Sequence, residues 1–211
     1  MLKNQADRRL PWLALATALL PVIAVNVCYQ LSTAAEFIPR CVTYLDGCTS
    51  ISATGRHGVA YWVFKILMLP QCLLLVVFWR MLAKRLEVRK AWWLRLTYVA
   101  SAFLAVYVIA LGSEGDLYRL MRRYGVFVFF LGTFVTQITI TGTRARLAIR
   151  PFGWRFQQLL LIVMGFLAIA EVPLGSFGLE DDRAENIIEW NFSLLMQCWF
   201  LSWLFLTPGR R

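Results

Sequence analysis

The chain has 211 residues, of which 59% are hydrophobic, 15% aromatic and only 16% charged, whereas an average soluble domain is about 25% charged. This scarcity of charge, with a mean hydropathy of +0.61, excludes a disordered chain, a collagen-like repeat and an ordinary soluble enzyme. A formal net charge of +10 would suit nucleic acid only if the cations shared one solvated face, and they do not.

Six apolar runs follow one another, with approximate bounds 12–28, 60–79, 92–111, 124–141, 157–174 and 190–207. Each is long enough to cross about 30 Å of hydrocarbon as a helix. Lipid offers the backbone no hydrogen-bond partners, so open strands are excluded. The alternating segments of a membrane barrel, about ten residues each, are missing. The expected fold class is all-α: one polytopic domain over residues 1–211, built as a bundle of six transmembrane helices.

The connections differ in charge. Fifteen of the 22 lysines and arginines fall in residues 1–11, 80–95, 142–155 and 208–211. Six fall in the opposite set (Arg40, Arg56, Arg119, Arg122, Arg123 and Arg183), and Lys65 lies within the second run. Such asymmetry in short loops puts the first set, and both termini, in the cytoplasm. The basic excess is then a topology signal, and no nucleic-acid partner is expected. The expected location is an integral membrane position, in the cytoplasmic membrane of a bacterium or an endomembrane of a eukaryote. Arg8 and Arg9 before a short apolar stretch, with small residues at 32–35, also fit a signal peptide. An uncleaved first span is the preferred reading.

Trp12, Trp62, Trp79, Trp92, Trp93, Trp154, Trp190 and Trp203 sit near span ends, where amphipathic rings anchor at the interface. Cys41 and Cys48 share the first outer loop, a setting in which disulfides persist. They are candidates for a small staple, with Cys28 at the end of the first span as a competitor. Cys72 and Cys198, inside spans, read as small core residues. With one histidine and no CxxC pair, no metal site and no cofactor are expected.

That outer loop, residues 29–59, contains CVTYLDGCTSISATGRHG. Its glycines and hydroxyl residues indicate turns with capping side chains, not a helix. Ser50, Ser52 and Thr54 alternate with Ile51 and Ala53, as in an extended segment lying on the bundle. Arg56 and His57 precede the second span. The loop either plugs the bundle mouth or lines a site at the outer leaflet.

The runs Cys41-Val42-Thr43-Tyr44-Leu45, Thr49-Ser50-Ile51-Ser52-Ala53-Thr54-Gly55 and Tyr61-Trp62-Val63-Phe64 resemble the first-loop signature of the Frag/DRAM/Sfk family. Ser113-Glu114-Gly115-Asp116 after the third span and Glu189-Trp190 at the start of the last match it too. The family comprises six-span membrane proteins, among them the GPI-anchor lipid-remodelling factor, the amino-terminal part of the Cwh protein and the DRAM autophagy modulators. The resemblance implies a lipid-related role and transfers no catalytic residues. This chain differs in having Cys48 where some members place a proline.

Polar residues within the spans give independent support for a headgroup site. Glu189, Ser193 and Gln197 recur every four residues and form one helical stripe. Thr133, Thr136 and Gln137 form another on the fourth span, where Gly132 allows close approach. Lys65 is expected to pair with Glu171 or Glu189, since ionisable groups in a membrane need partners. Arg119, Arg122 and Arg123 either grip a lipid phosphate or pair with the acidic residues Glu180, Asp181, Asp182, Glu185 and Glu189.

Two function classes follow. In the first, the protein binds or organises membrane lipid at its outer side, alone or with a membrane-protein partner, through Arg56, Lys65, Arg119, Arg122, Arg123, Gln137, Trp190, Ser193 and Gln197. In the second, it remodels lipid by acyl transfer or hydrolysis. His57 is then the general base, oriented or replaced by Glu114, Glu171 or Glu189, and Ser50 or Ser52 the nucleophile, although no GxSxG elbow is present. Both readings expect a cavity at the outer mouth lined by His57, Arg119, Glu171 and Glu189. The missing catalytic motif favours the binder.

Overall fold

The computed structural model describes residues 2–86, 92–146, 153–176 and 182–205. The Glu171 side chain and the acidic residues Glu180 and Asp181 lie outside the described residues.

Every regular element among the described residues is helical. Six long helices are α1 (Leu2–Ala34), α4 (Gly58–Arg85), α5 (Trp92–Ala110), α6 (Asp116–Arg146), α7 (Trp154–Ser176) and α8 (Arg183–Leu201), the last continued by a 3-10 turn at Ser202–Leu204. The short helices α2 (Thr43–Asp46) and α3 (Ile51–Thr54) lie between α1 and α4. Four stretches are long and apolar enough to cross a membrane: Arg9–Ala34, Gly58–Arg85, Trp92–Ala110 and Asp116–Thr143. α7 carries a shorter apolar stretch, Trp154–Ala170.

α8 starts seven residues before the apolar run that predicts it, and its first turns hold Arg183, Glu185, Asn186, Glu189 and Asn191. Yet no residue from 186 to 204 is exposed. Each long helix packs on its chain neighbour, and α8 returns to α1, closing a ring. A helix enclosed by protein can carry polar groups, because it meets side chains and carbonyls instead of lipid.

The end of the bundle opposite the connection between α1 and α4 is aromatic. Trp79 of α4 lies 5.8 Å from Trp199 and 5.3 Å from Phe200 of α8, centroid to centroid, within the range of favourable ring contacts. The tryptophan expectation therefore needs correcting. Trp12, Trp62 and Trp92 are exposed, as interfacial anchors should be, whereas Trp79, Trp93, Trp190 and Trp203 are only 1–3% exposed. At those positions the ring faces a neighbouring helix.

Small residues and prolines shape the contacts. A Cβ at Gly125 of α6 would lie 2.8 Å from that of Tyr107 on α5, so glycine permits this close crossing. Pro21 sits inside α1 and has no N–H to give the carbonyl of Thr17, one turn earlier. Gln71 of α4 donates its Nε2 to that carbonyl at 2.9 Å. A helix bond lost to proline is thus replaced by one between helices.

Candidate functional site

The connection between α1 and α4 is a cap fixed to α1 and α8. Cys41 and Cys48 are joined by a disulfide, and the competitor Cys28 instead donates its thiol to Ala60 O at 3.4 Å. The expected extended segment at 50–54 is a helical turn. Ser50, itself extended, accepts from the Ala53 N–H at 3.2 Å and so caps α3. The hydroxyl pattern read as strand alternation is an N-cap signal.

Side chains from α8 bond to the backbone of this cap. Asn186 Nδ2 donates to Gly47 O at 2.8 Å, Trp190 Nε1 to Thr49 O at 2.8 Å and Asn191 Nδ2 to Tyr44 O at 2.9 Å. The Glu189 carboxylate accepts from the Ile51 N–H at 3.1 Å. From α1, the Tyr29 hydroxyl both donates to Cys41 O and accepts from Cys41 N, each at 2.7 Å. Gly47 has φ of 59°, and a Cβ there would meet Arg183 O at 2.1 Å. Only glycine fits between cap and helix.

Polar groups adjoin the cap, with Arg56 on its exposed side. Arg56 Nη2 donates to Ser52 Oγ at 2.8 Å, and the Ser50 and Ser52 hydroxyls are 3.1 Å apart. Tyr107 projects from α5 and is 4% exposed. Its hydroxyl has no hydrogen-bond partner among the described residues, yet it lies within coulombic range of Glu189, Arg56 and Arg122. The charges of Glu189, Arg56 and Arg122 thus act on one buried phenol from a distance, with Arg56 exposed and Arg122 half-buried.

Arg122 also has a structural task. Its Nη1 donates to Ala110 O at 3.2 Å and to Ser113 O at 2.6 Å. Lys65 Nζ donates to Ile109 O at 3.1 Å and to Tyr61 OH at 2.5 Å. Carbonyls at a helix C-terminus have no intrahelical partner, and cations there also suit the helix dipole. Lys65 and Arg122 thus cap α5. Lys65 does not meet Glu189, whose carboxylate accepts from the Ile51 N–H; the other expected partner, the Glu171 side chain, lies outside the described residues.

The remaining expected site residues do not converge. His57 is exposed and lies over Phe37 with centroids 5.3 Å apart. Glu114 and Arg123 are exposed. Arg119 meets Asp116 at 3.4 Å with both side chains exposed, a solvated pair that adds little stability. The expected cavity lined by His57, Arg119, Glu171 and Glu189 is therefore corrected: His57 and Arg119 face outward, and only Glu189 of the described members bonds to the cap. Deeper in the bundle, Gln137 Nε2 donates to Met196 O at 3.3 Å, and Gln197 is buried nearby. Ser193 is half-buried on the same helix as Gln197, and Trp190 packs under the cap against Tyr44 at 5.1 Å.

Sequence reasoning missed Tyr107, Asn186 and Asn191. The two asparagines were visible as amides in the opening turns of an apolar helix, on the flanks of the Glu189 stripe. Tyr107 gave no signal, because nothing local separates a buried tyrosine from an interfacial one. Compared with known protein families, curated proteins and solved structures, the chain matches none.

Proposed function

We propose that the protein is a six-span membrane protein of the Frag/DRAM/Sfk type, with cytoplasmic termini, that holds an anionic lipid headgroup at its outer mouth. Six long helices in a ring and the basic excess on alternate connections support the spans and their orientation. The observation that carries the function is the Tyr107 hydroxyl, buried with nothing to bond among the described residues and within electrostatic reach of Arg56, Arg122 and Glu189. An unsatisfied buried hydroxyl costs about 1–3 kcal/mol. A headgroup phosphate would accept from it and from the guanidinium groups, in the charge-assisted geometry that arginine favours.

The alternative, a lipid-remodelling enzyme, has less support. The Ser50 hydroxyl caps α3 and that of Ser52 accepts from Arg56, and among the described residues no hydrogen bond joins His57 to either serine.

Tyr107→Phe tests the binding reading. Loss of an orphaned hydroxyl leaves the thermal midpoint unchanged or raises it. Loss of a headgroup contact lowers the phospholipid that copurifies, read by mass spectrometry per mole of protein. Reduced lipid at undiminished stability is the expected result. Unchanged lipid would overturn the proposal, and conversion of added lipid to a new product would favour the enzyme.

A further inference from the structure

The end of α1 carries a residue that local backbone rules disfavour. Phe37 N–H bonds to Ser32 O at 2.9 Å and Glu36 N–H to Thr33 O at 3.1 Å, the paired bonds of a Schellman C-cap. In that motif the left-handed position belongs to glycine. Here it is Glu36, with φ of 58°, the one non-glycine residue with positive φ among those described. Its carboxylate also sits at a helix C-terminus, where the dipole disfavours negative charge. Two local rules broken at one residue point to selection for something other than the turn.

Glu36 borders an open groove of about 560 Å³, lined by Thr33, Phe37, Ile38, Pro39 and Arg40 among others. Glu36, Phe37 and Arg40 are exposed on its wall, so a carboxylate, an aromatic ring and a guanidinium belong to the residues that line it. Phe37 is 51% exposed, and so are the apolar residues beside the start of α4, Val59 at 67% and Trp62 at 62%. A tryptophan so exposed at a span end marks headgroup depth.

We infer that this groove binds the zwitterionic phosphodiester headgroup of a membrane phospholipid, Glu36 taking the ammonium and Arg40 the phosphate. The complementarity is one to one. Arg40 grips phosphate through its planar fork, Glu36 accepts from an ammonium, and Phe37, whose ring meets His57 at 5.3 Å, supplies an apolar wall. An anionic phosphatidylglycerol headgroup satisfies Arg40 and meets repulsion at Glu36. The inference rests on reading this end of the bundle as the outer leaflet interface. It concerns a second site, separate from the one proposed at Tyr107.

The test uses the full chain in maltoside micelles with an equimolar mixture of phosphatidylethanolamine and phosphatidylglycerol, bound lipid being read by native mass spectrometry. The wild type should retain ethanolamine lipid preferentially. Glu36→Gly removes the carboxylate and places the favoured residue in the left-handed position, so the fold is kept or stabilised. Its ethanolamine-to-glycerol ratio should fall about tenfold, the worth of one charge-assisted contact. Arg40→Gln should weaken retention of both lipids. Excess glycerophosphoethanolamine, which has no acyl chains, should fail to displace the lipid; displacement would mean a soluble phosphodiester is the ligand and would overturn the lipid assignment. An unchanged ratio in Glu36→Gly would overturn the site itself. If Tyr107→Phe lowers bound lipid while Glu36→Gly leaves the ratio intact, this inference fails and the proposed function stands. The opposite pattern separates them the other way.

Discussion

Two backbone carbonyls left over by helix geometry, and a third that also accepts from the Ser113 N–H, are taken up by side chains from other helices. Thr17 O is freed by Pro21 and receives Gln71. Ile109 O and Ala110 O, at the end of α5, receive Lys65 and Arg122. In a medium without water such groups must be satisfied within the protein, so a polar residue deep in a span need not be functional. A double-mutant cycle checks the first case. Gln71→Leu should cost about 1 kcal/mol with Pro21 present. In a Pro21→Ala background the restored N–H serves Thr17 O, and the cost of losing the amide donor should largely vanish. Equal costs in both backgrounds would contradict the replacement. For Lys65, substitution by Met should lower the thermal midpoint and leave bound lipid unchanged, because its cation is spent on Ile109 O and Tyr61. Lipid analysis of the purified variant decides this.

Among the elements, the cap is the most consequential. It holds little regular structure, only two four-residue helices, and it owes its position to the disulfide and to carbonyls bonded by α8. Closing so small a ring stabilises by about 2–3 kcal/mol. Cys41→Ser with Cys48→Ser should therefore lower stability by about that amount, measured by thermal unfolding. Reductant should destabilise the wild type and leave the double variant unaffected. A midpoint insensitive to the double substitution would mean that α8 alone fixes the cap. The Cys41–Cys48 pairing was legible because proximity in sequence and a shared loop compartment coincide. The turn at Ser50 was misread as extended because serine, alternating with apolar residues, serves equally as strand edge and helix cap. What decides it is the Ala53 N–H, a partner visible only once the chain bends. Lys65, likewise, showed its need for a partner in sequence but not its choice of one, since Ile109 lies 44 residues away.

At the scale of the molecule, hydropathy located the long helices and misjudged what surrounds them. Trp79 and Trp203, read as interfacial, are core residues, and α8, rich in polar groups, is the enclosed helix. Sequence reports a residue's own polarity, whereas burial depends on which helix closes the ring. The proposed orientation rests on charge asymmetry alone. A cysteine placed at exposed Glu114, before α6, should react with an impermeant maleimide in intact cells, and one placed at exposed Lys84 only after permeabilisation. The reverse pattern would invert the topology.

Photo-crosslinking reads directly whether a headgroup is held at the cap. A phospholipid with a photoreactive group in its headgroup, equilibrated with the protein in nanodiscs, should label peptides containing residues 50–56 and Tyr107 when irradiated, and excess unlabelled lipid should suppress those adducts. Adducts confined to exposed positions such as Ile66, Leu73 and Phe166, which are 67–70% exposed, would show only annular lipid and no headgroup at the cap.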